Sequence, residues 1–187
     1  IQKKFPINQE TTITDFVKYW EKTTPSLFSK AINGLIKKDL VPIKQRSINK
    51  KPFRCFPRLP VDSKIDWTKS AQEIDLLIRA SSKPYSGAYT YYKVKDDIKK
   101  ITIWKSRVIK IKTLDIGSPG QIVYNNKKNG ESHVLTGQGI LAILEVEFEN
   151  ESIFNPGFKW KSIRTRFGID IEQELILLKK HIDDKFR

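Results

Sequence analysis

The spacing of apolar residues changes near residue 84, from a helical period to an alternating one. Between Leu27 and Ile36, apolar residues recur at i, i+1, i+4, i+5, i+8 and i+9, which is the stripe of an amphipathic helix. Beyond residue 84, short runs alternate between apolar and polar residues and are separated by glycine, proline and asparagine. The pattern therefore predicts a mostly helical first part and a β-rich second part.

Two helices are predicted within residues 1–36. Thr12 or Thr14 supplies an N-cap for the first helix, and the second begins near Thr24-Pro25, because proline suits the first turn of a helix. The apolar stripe needs a partner layer, and this segment contains no sheet that could form one. Since the chain also begins at Ile1 and contains no methionine, we expect it to be a fragment whose N-terminal layer is missing.

An extended connector and a capped helix are predicted next. Prolines and basic residues alternate over residues 39–64, and proline disfavours helix at and before its own position. Two interpretations stay open, a solvated linker and a basic strap over a cleft that holds phosphate or an acidic substrate. Ser70 and Glu73 form a capping box for a helix that ends by Ser82. Glu73 is therefore interpreted as a cap and not as a catalytic acid.

Five or six short strands are predicted after the helix. They begin with Ala88–Val94, and Asn125–Gly130 has the composition of a hairpin tip. Strands at this spacing predict a small barrel or an open curled sheet. Residues 153–168 are predicted to be a loop, and Asp170 to cap a last helix, with Gln173 at its third position.

The charge of the chain limits its partners but not its fold. Lysine and arginine number 35 against 21 acidic residues, which gives a net charge of +14. This suits RNA, nucleotide phosphates or an acidic membrane surface, and it fits equally well a solvated lysine coat set by genomic base composition. Cys55 is the only cysteine, so no internal disulfide is possible and a cytoplasmic location is expected. No apolar run has the length of a membrane span.

The residues alone do not assign a reaction. His133 and His181 have no carboxylate or cysteine pattern near them in the sequence, so structural or surface roles are expected. No serine–histidine–aspartate order and no metal-ligand spacing is present. Three aromatic residues of the β-rich part could stack bases of single-stranded nucleic acid or could belong to the core. These are Tyr91, Tyr92 and Trp104.

Several motifs between residues 58 and 138 carry a family resemblance. They are Arg58-Leu59-Pro60-x-Asp62-x-x-Ile65-Asp66-Trp67, Ile78-Arg79-Ala80, Pro84-Tyr85-Ser86-Gly87-Ala88, Ile103-Trp104-x-Ser106-Arg107-Val108 and Leu135-Thr136-Gly137-Gln138. In this set the chain resembles the 10-formyltetrahydrofolate-dependent formyltransferases, which include methionyl-tRNA formyltransferase and the sugar-nucleotide N-formyltransferases. Ser86 replaces the second proline that is usual in the family, and the Ile103–Val108 motif is more similar to the sugar-nucleotide branch.

The resemblance implies an α+β fold in three parts. Residues 1–52 would be the helical tail of a Rossmann-like formyltransferase domain, and residues 53–83 a connector and linking helix. Residues 84–187 would form a small OB-like or open β-barrel domain with a C-terminal helix. The family's catalytic asparagine, histidine and aspartate would lie in a preceding domain, which would also bind 10-formyltetrahydrofolate. No catalytic residue is therefore carried over to this chain, and no metal is implied.

The resemblance also implies a function for the parent protein, which is transfer of a formyl group to an amine of an amino-sugar nucleotide. This chain would supply the connector and an acceptor-side or homodimer surface. The first alternative is a methionyl-tRNA formyltransferase whose basic β domain binds tRNA. The second is a module without enzymatic activity that binds single-stranded nucleic acid.

Candidate substrate-binding residues follow from the position of the connector in the family. Phe56 could stack on a base or sugar, and Arg58 could present a bidentate fork to pyrophosphate. Arg58 could instead tether the connector to Asp62 or Asp66. Further candidates are Gln45, Arg54 and Tyr85.

Overall fold

The computed structural model describes residues 1–44, 54–94, 97–110, 116–149, 151–160, 162–169 and 171–185. The chain divides into two units, Ile1–Asp62 and Ser63–Arg187. The helix predicted within the connector segment thus belongs to the same unit as the strands. The division that the family resemblance implies, into residues 1–52, 53–83 and 84–187, stays a prediction.

The first unit contains one long helix, α1 (Ile13–Ile36). Thr12 is its N-cap, and a capping box joins Thr12 to Asp15. The prediction of a second helix beginning at Thr24-Pro25 is wrong, because α1 continues through Pro25. Near the proline, the Thr23 hydroxyl donates to the Tyr19 carbonyl (2.8 Å) and the Ser26 hydroxyl to the Thr23 carbonyl (2.9 Å), so two side chains bond the helix main chain on either side of Pro25. Neither bond replaces the N–H that the proline cannot donate to the carbonyl four residues before it.

The apolar stripe of α1 is largely exposed. Phe5 packs against Phe16 and Tyr19, with ring centroids 5.4 and 4.9 Å apart. Further along the helix Phe28 and Ile36 remain 65% and 74% exposed. The expected partner layer is therefore not found among the described residues of this unit.

The second unit consists of a five-stranded antiparallel sheet and three helices. In chain order, the elements are α2 (Ala71–Ser81), β1 (Ala88–Val94), β2 (Asp97–Ile109), β3 (Ile122–Asn125), β4 (Ser132–Leu135), β5 (Ile140–Phe148), α3 (Pro156–Lys159) and α4 (Ile171–Lys185). The strand order is β1-β2-β5-β4-β3. This confirms the predicted α+β class with an open sheet, and the predicted capping box of Ser70 and Glu73 is present. The OB-like description stays a prediction.

The segment predicted to be a loop joins the two edges of the sheet. It contains the short helix α3 and then Thr165–Gly168, which we call the edge-bridging segment. The N–H of Gly168 donates to Tyr91 of β1 at 3.0 Å, while the N–H of Ile122 of β3 donates to Thr165 at 3.0 Å. Both edge strands are thereby paired in part, which leaves fewer main-chain N–H and C=O groups open to another strand. The predicted cap Asp170 lies outside the described residues.

Trp67 fixes the edge-bridging segment to the rest of the unit. Its indole Nε1 donates to the hydroxyl of Thr90 on β1 at 3.0 Å, and its ring stacks on Phe167 with centroids 5.4 Å apart. Its carbonyl accepts from the N–H of Gly137 at 2.9 Å. Trp67 is only 5% exposed. With these three contacts it is a central residue of the core.

We expect Gly120→Ala to destabilise the second unit more than Gly139→Ala does. Both glycines have φ +87°, which costs a non-glycine residue about 1–2 kcal/mol. A Cβ at Gly120 would also lie 2.3 Å from the carbonyl oxygen of Phe167, whereas at Gly139 the nearest atom is the Ala71 Cβ at 3.7 Å. Relieving the clash at Gly120 should cost about 1–3 kcal/mol more.

Urea denaturation followed by far-ultraviolet circular dichroism measures this difference. Equal losses for the two variants would show that the close approach of the edge-bridging segment to Gly120 does not occur in solution.

Candidate functional site

Of the candidate substrate-binding residues, Arg54 and Phe56 lie close together. The Arg54 guanidinium lies 5.5 Å from the ring centroid of Phe56, and Phe56 is 76% exposed. Gln45 lies outside the described residues. Tyr85 belongs to the other unit, where it is exposed and its N–H donates to Ser82. The roles of these residues in acceptor binding stay predictions.

Arg58 makes one of the tethering contacts that the sequence left open. Its Nη2 donates to the carbonyl oxygen of Asp62 at 3.2 Å. The Asp62 carboxylate in turn accepts from the N–H of Leu59 at 2.7 Å. These bonds hold the Arg58–Asp62 turn in shape, and they are compatible with a further role for the guanidinium.

The polar residues of the β2 motif each bind a different carboxylate. Trp104 Nε1 donates to Glu147 at 2.6 Å, Ser106 Oγ to Asp75 at 2.7 Å, and Arg107 Nη2 to Glu131 at 2.8 Å. Asp75 is buried on α2 and also accepts from Arg79 at 2.8 Å. The motif thus ties β2 to β5, to α2 and to the β3–β4 hairpin. The motif therefore has a structural role, and its greater similarity to the sugar-nucleotide branch stays a prediction.

The expectation that His133 has no carboxylate near it is wrong. His133 Nε2 lies 2.9 Å from Glu131 Oε1, and its ring meets that of Tyr124 edge-on at 5.1 Å. Glu131 precedes β4 by one residue, and positions two apart in extended chain share one face. The spacing of two residues between Glu131 and His133 could therefore have predicted this contact from the sequence. Arg107 comes from β2 and could not have been assigned without the sheet order.

Hydrogen bonds keep Glu131 ionised although its side chain is buried. Burial alone would raise its pKa, but bonds from His133, Arg107 and Asn129, with the charge of Arg107, lower the pKa below its ordinary value of 4.5. Within the described ranges no group of three histidine, cysteine or acidic side chains could hold a metal ion. The cluster is therefore an anchor for the hairpin and not a metal site.

Aromatic rings and lysines alternate on the outward side of the β1–β2 hairpin. We call this surface the tyrosine–lysine face; its members are Tyr89, Tyr91, Trp104, Lys64, Lys83 and Lys100. The three ammonium groups lie over the three rings, with Lys100 4.6 Å from the centroid of Tyr89. The corresponding distances are 5.7 Å for Lys64 and Tyr91 and 5.3 Å for Lys83 and Trp104.

The strand register explains which aromatic residues reach this face. Tyr89 and Tyr91 are two apart on β1 and pair with Thr102 and Lys100 of β2, so their side chains project to the same side. Tyr92 projects to the other side and packs against Phe148, Trp160 and Phe167 at centroid distances of 5.9–6.3 Å. Tyr92 is thus a core residue, whereas Tyr91 and Trp104 remain partly exposed.

The tyrosine–lysine face has the chemistry of a surface for phosphates and bases. Partial burial and then the neighbouring Tyr91 raise the pKa of Tyr89 from its ordinary value of 10.0. Aromatic rings accept stacked bases without sequence preference, and lysines neutralise backbone phosphates. Glu147, bonded to Trp104, is an opposing charge on this side.

The described helices were also compared with the length and hydropathy of a membrane span. None of them meets both requirements.

Comparison with known proteins identifies relatives of this chain. The profile of a family described as "Formyl transferase, C-terminal domain" matches residues 60–162. A methionyl-tRNA formyltransferase of Clostridium novyi is 34% identical over 125 residues, which cover 65% of this chain and 36% of that protein. The protein of the same name from Clostridium tetani is 28% identical over 180 residues, 95% of this chain and 52% of that protein.

Two further proteins extend the comparison. The bifunctional polymyxin resistance protein ArnA of Wigglesworthia glossinidia brevipalpis is 38% identical over 102 residues, 49% of this chain and 15% of that protein. The crystal structure of a HypX variant from Aquifex aeolicus matches 82% of this chain and 25% of that chain, with a TM-score of 0.56 and 14% identity. The chain thus spans from 15% to about half of the length of these proteins.

We expect Glu131→Gln to lower the free energy of unfolding at pH 7 by about 1–3 kcal/mol, because it weakens hydrogen bonds to charged partners in a buried site. The folded-state pKa of Glu131 is depressed. Its contribution is therefore complete above the unfolded value of 4.5 and is lost as pH falls through the lower folded value. The difference between wild type and variant should shrink below that point.

Urea denaturation from pH 3 to 7 tests this, with Glu151→Gln as the matched control. Glu151 pairs with Lys159 at 2.9 Å with its side chain 44% exposed, so its loss should cost no more than about 1 kcal/mol. A Glu131→Gln penalty that is absent at pH 7, or that does not decline in acid, contradicts the assignment.

Proposed function

Because the chain belongs to the formyl transferase C-terminal domain family, we propose that it is part of an enzyme that transfers a formyl group from 10-formyltetrahydrofolate to an amine carried on tRNA. In this proposal the second unit binds the tRNA through the tyrosine–lysine face. The observation that carries the proposal is the placement of three lysines over three partly exposed aromatic rings on one side of the β1–β2 hairpin.

Charge and ancestry support tRNA as the acceptor-bearing molecule. A net charge of +14 favours association with a polyanion. The relatives from two Clostridium species are both named methionyl-tRNA formyltransferases. The acceptor would then be the amino group of methionine esterified to tRNA.

The role of this chain would be to position the acceptor. Holding an amine in a productive orientation supplies several kcal/mol of the barrier. By resemblance, the catalytic asparagine, histidine and aspartate and the site of the formyl donor would lie in a preceding domain of the enzyme, so this chain would bind and orient the acceptor without taking part in the transfer itself.

An amino-sugar nucleotide is the second candidate acceptor. The similarity to ArnA and the exposed pair of Arg54 and Phe56 in the connector favour it, since an arginine and a ring suit a pyrophosphate and a base. A module without enzymatic activity would use the tyrosine–lysine face in the same way, but membership in the family favours part of an enzyme. Dimerisation through the sheet and a cytoplasmic location stay predictions.

Tyr91→Ala should weaken tRNA binding by this chain by about 5- to 150-fold, because stacking of one base contributes about 1–3 kcal/mol. Lys100→Gln should weaken it and reduce by about 1 the slope of affinity against salt on logarithmic axes. Fluorescence anisotropy with labelled tRNA measures both effects. The titrations run from about 50 to 200 mM salt, over which affinity that depends on phosphate contacts falls steeply.

Tyr124→Ala is the matched control for removal of an exposed ring, since Tyr124 lies on β3 and is 50% exposed. It should leave affinity unchanged. Absence of tRNA binding at low salt, or an equal loss in Tyr91→Ala and Tyr124→Ala, would overturn the assignment of the tyrosine–lysine face.

The acceptor itself is tested in the enzyme that carries this chain. We expect formylation of methionyl-tRNA, with Tyr91→Ala raising the KM for tRNA more than it lowers kcat, because in this proposal the face binds the body of the tRNA and supplies no catalytic group. Formylation of an amino-sugar nucleotide from a panel, without formylation of methionyl-tRNA, would establish the second candidate in its place.

A further inference from the structure

A cleft in the second unit lies between the Lys64–Thr68 segment, residues 162–169 and α4. Its volume is about 870 Å³, within the range of roughly 300–1,000 Å³ that is usual for small-molecule sites. The residues that the inference uses are Trp67, Arg164, Arg166, Phe167 and Ile169. Ile65, Asp66 and Trp67 of the family motif also line it, so the motif forms one wall of a cavity.

Two arginines are presented to this cleft in different ways. Arg166 is held at its Nε, which donates to the carbonyl oxygen of Pro119 at 3.1 Å, so its two terminal amino groups are oriented by the protein and remain for a ligand. Arg164 is exposed, and its N–H donates to Ser162 Oγ at 3.0 Å, which fixes its main chain. The Arg166 guanidinium, which is held by its bond to Pro119, loses little freedom when it binds an anion.

The acidic residues of the cleft are already engaged. The Asp66 carboxylate accepts from the N–H and the hydroxyl of Thr68 at 3.0 and 2.6 Å. Glu174 forms an ion pair with Lys93. Among the described residues neither acid pairs with Arg164 or Arg166, so two arginine charges face the cleft.

Apolar side chains form the remaining wall. Trp67 stacks on Phe167 at 5.4 Å with an interplanar angle of 16°, and these two rings and Ile65 are buried beneath the cleft. Ile169, which is half-buried, supplies the accessible apolar surface beside them. A ligand that meets both sets of residues needs an anionic group at one end and a flat apolar group at the other.

We propose that this cleft binds a nucleotide, with its phosphate groups on Arg164 and Arg166 and its base against the apolar wall next to Trp67. Planar guanidinium groups match phosphate oxygens bidentately, and the volume suits one nucleotide. The ligand is either a free nucleotide or the phosphorylated end of an RNA chain. The site does not depend on the proposed function, because its arginines and its apolar wall are not part of the tyrosine–lysine face.

Isothermal titration of the chain with ADP, adenosine and inorganic pyrophosphate at low salt tests this site. We expect ADP to bind more tightly than either fragment, because only ADP reaches both the arginines and the apolar wall. Arg164→Gln should weaken ADP binding by at least about tenfold, as expected for the loss of a charged hydrogen-bond donor. Lys128→Gln is the matched control, since it removes the same charge from the exposed β3–β4 hairpin tip, and it should leave the affinity unchanged.

A second variant checks for misfolding. Arg166→Lys keeps the charge but removes both the planar fork and the Nε–H that bonds Pro119. It should weaken ADP binding, and its melting temperature shows whether the fold is kept. Oligoribonucleotides with and without a 5′-phosphate distinguish the sources. A phosphate-dependent gain in RNA affinity that Arg164→Gln abolishes, without ADP binding, identifies an RNA end.

The proposal is overturned if neither ADP nor the 5′-phosphorylated RNA binds, or if Arg164→Gln and Lys128→Gln weaken binding equally. Failure here is distinguishable from failure of the tyrosine–lysine face. Tyr91→Ala should lower tRNA affinity and leave ADP affinity unchanged, whereas Arg164→Gln should lower ADP affinity whatever the response of tRNA.

Discussion

The buried Trp67 side chain joins three parts of the second unit that are far apart in sequence. Its indole N–H is bonded to Thr90 on β1, its ring stacks on Phe167 of the edge-bridging segment, and its carbonyl holds Gly137. A buried indole N–H without a partner costs about 1–3 kcal/mol, so the bond to Thr90 adds to the ladder that pairs β1 with β2. Trp67 thereby links the edge-bridging segment, and one wall of the cleft, to the sheet.

Internal carboxylates bind the polar side chains of β2. Asp75, Glu131 and Glu147 each accept a hydrogen bond from one residue of that strand and thereby join it to α2, to the β3–β4 hairpin and to β5. Asp75 and Glu131 are buried, whereas Glu147 lies beside the tyrosine–lysine face through its bond to Trp104. Two of these acids are thus removed from the surface, while lysines lie over aromatic rings on the outer face of the hairpin.

Local features were predictable from the sequence because their causes are local. The N-cap at Thr12, for which Thr14 was the alternative, the capping box at Ser70, the change of period near residue 84 and the α+β class need only neighbours a few residues apart. The helix boundary expected at Pro25 is wrong, because α1 continues through that residue. The sequence leaves open whether Tyr91 is exposed, and the strand register places it on the outer side. Arg58 bonds the carbonyl of Asp62, and its role in acceptor binding stays a prediction.

The sequence by itself determined the family, the helical and β-rich parts, and the excess of basic residues, since motifs, periodicity and charge are properties of the chain. Only the tertiary structure decided that Tyr91 faces outward and Tyr92 inward, because this depends on which side of the sheet is covered. It alone brought Arg107 to Glu131 from another strand, and Arg164 and Arg166 to the wall formed by Trp67. Contacts between distant segments follow from strand order and packing, and neither can be deduced from local residue patterns.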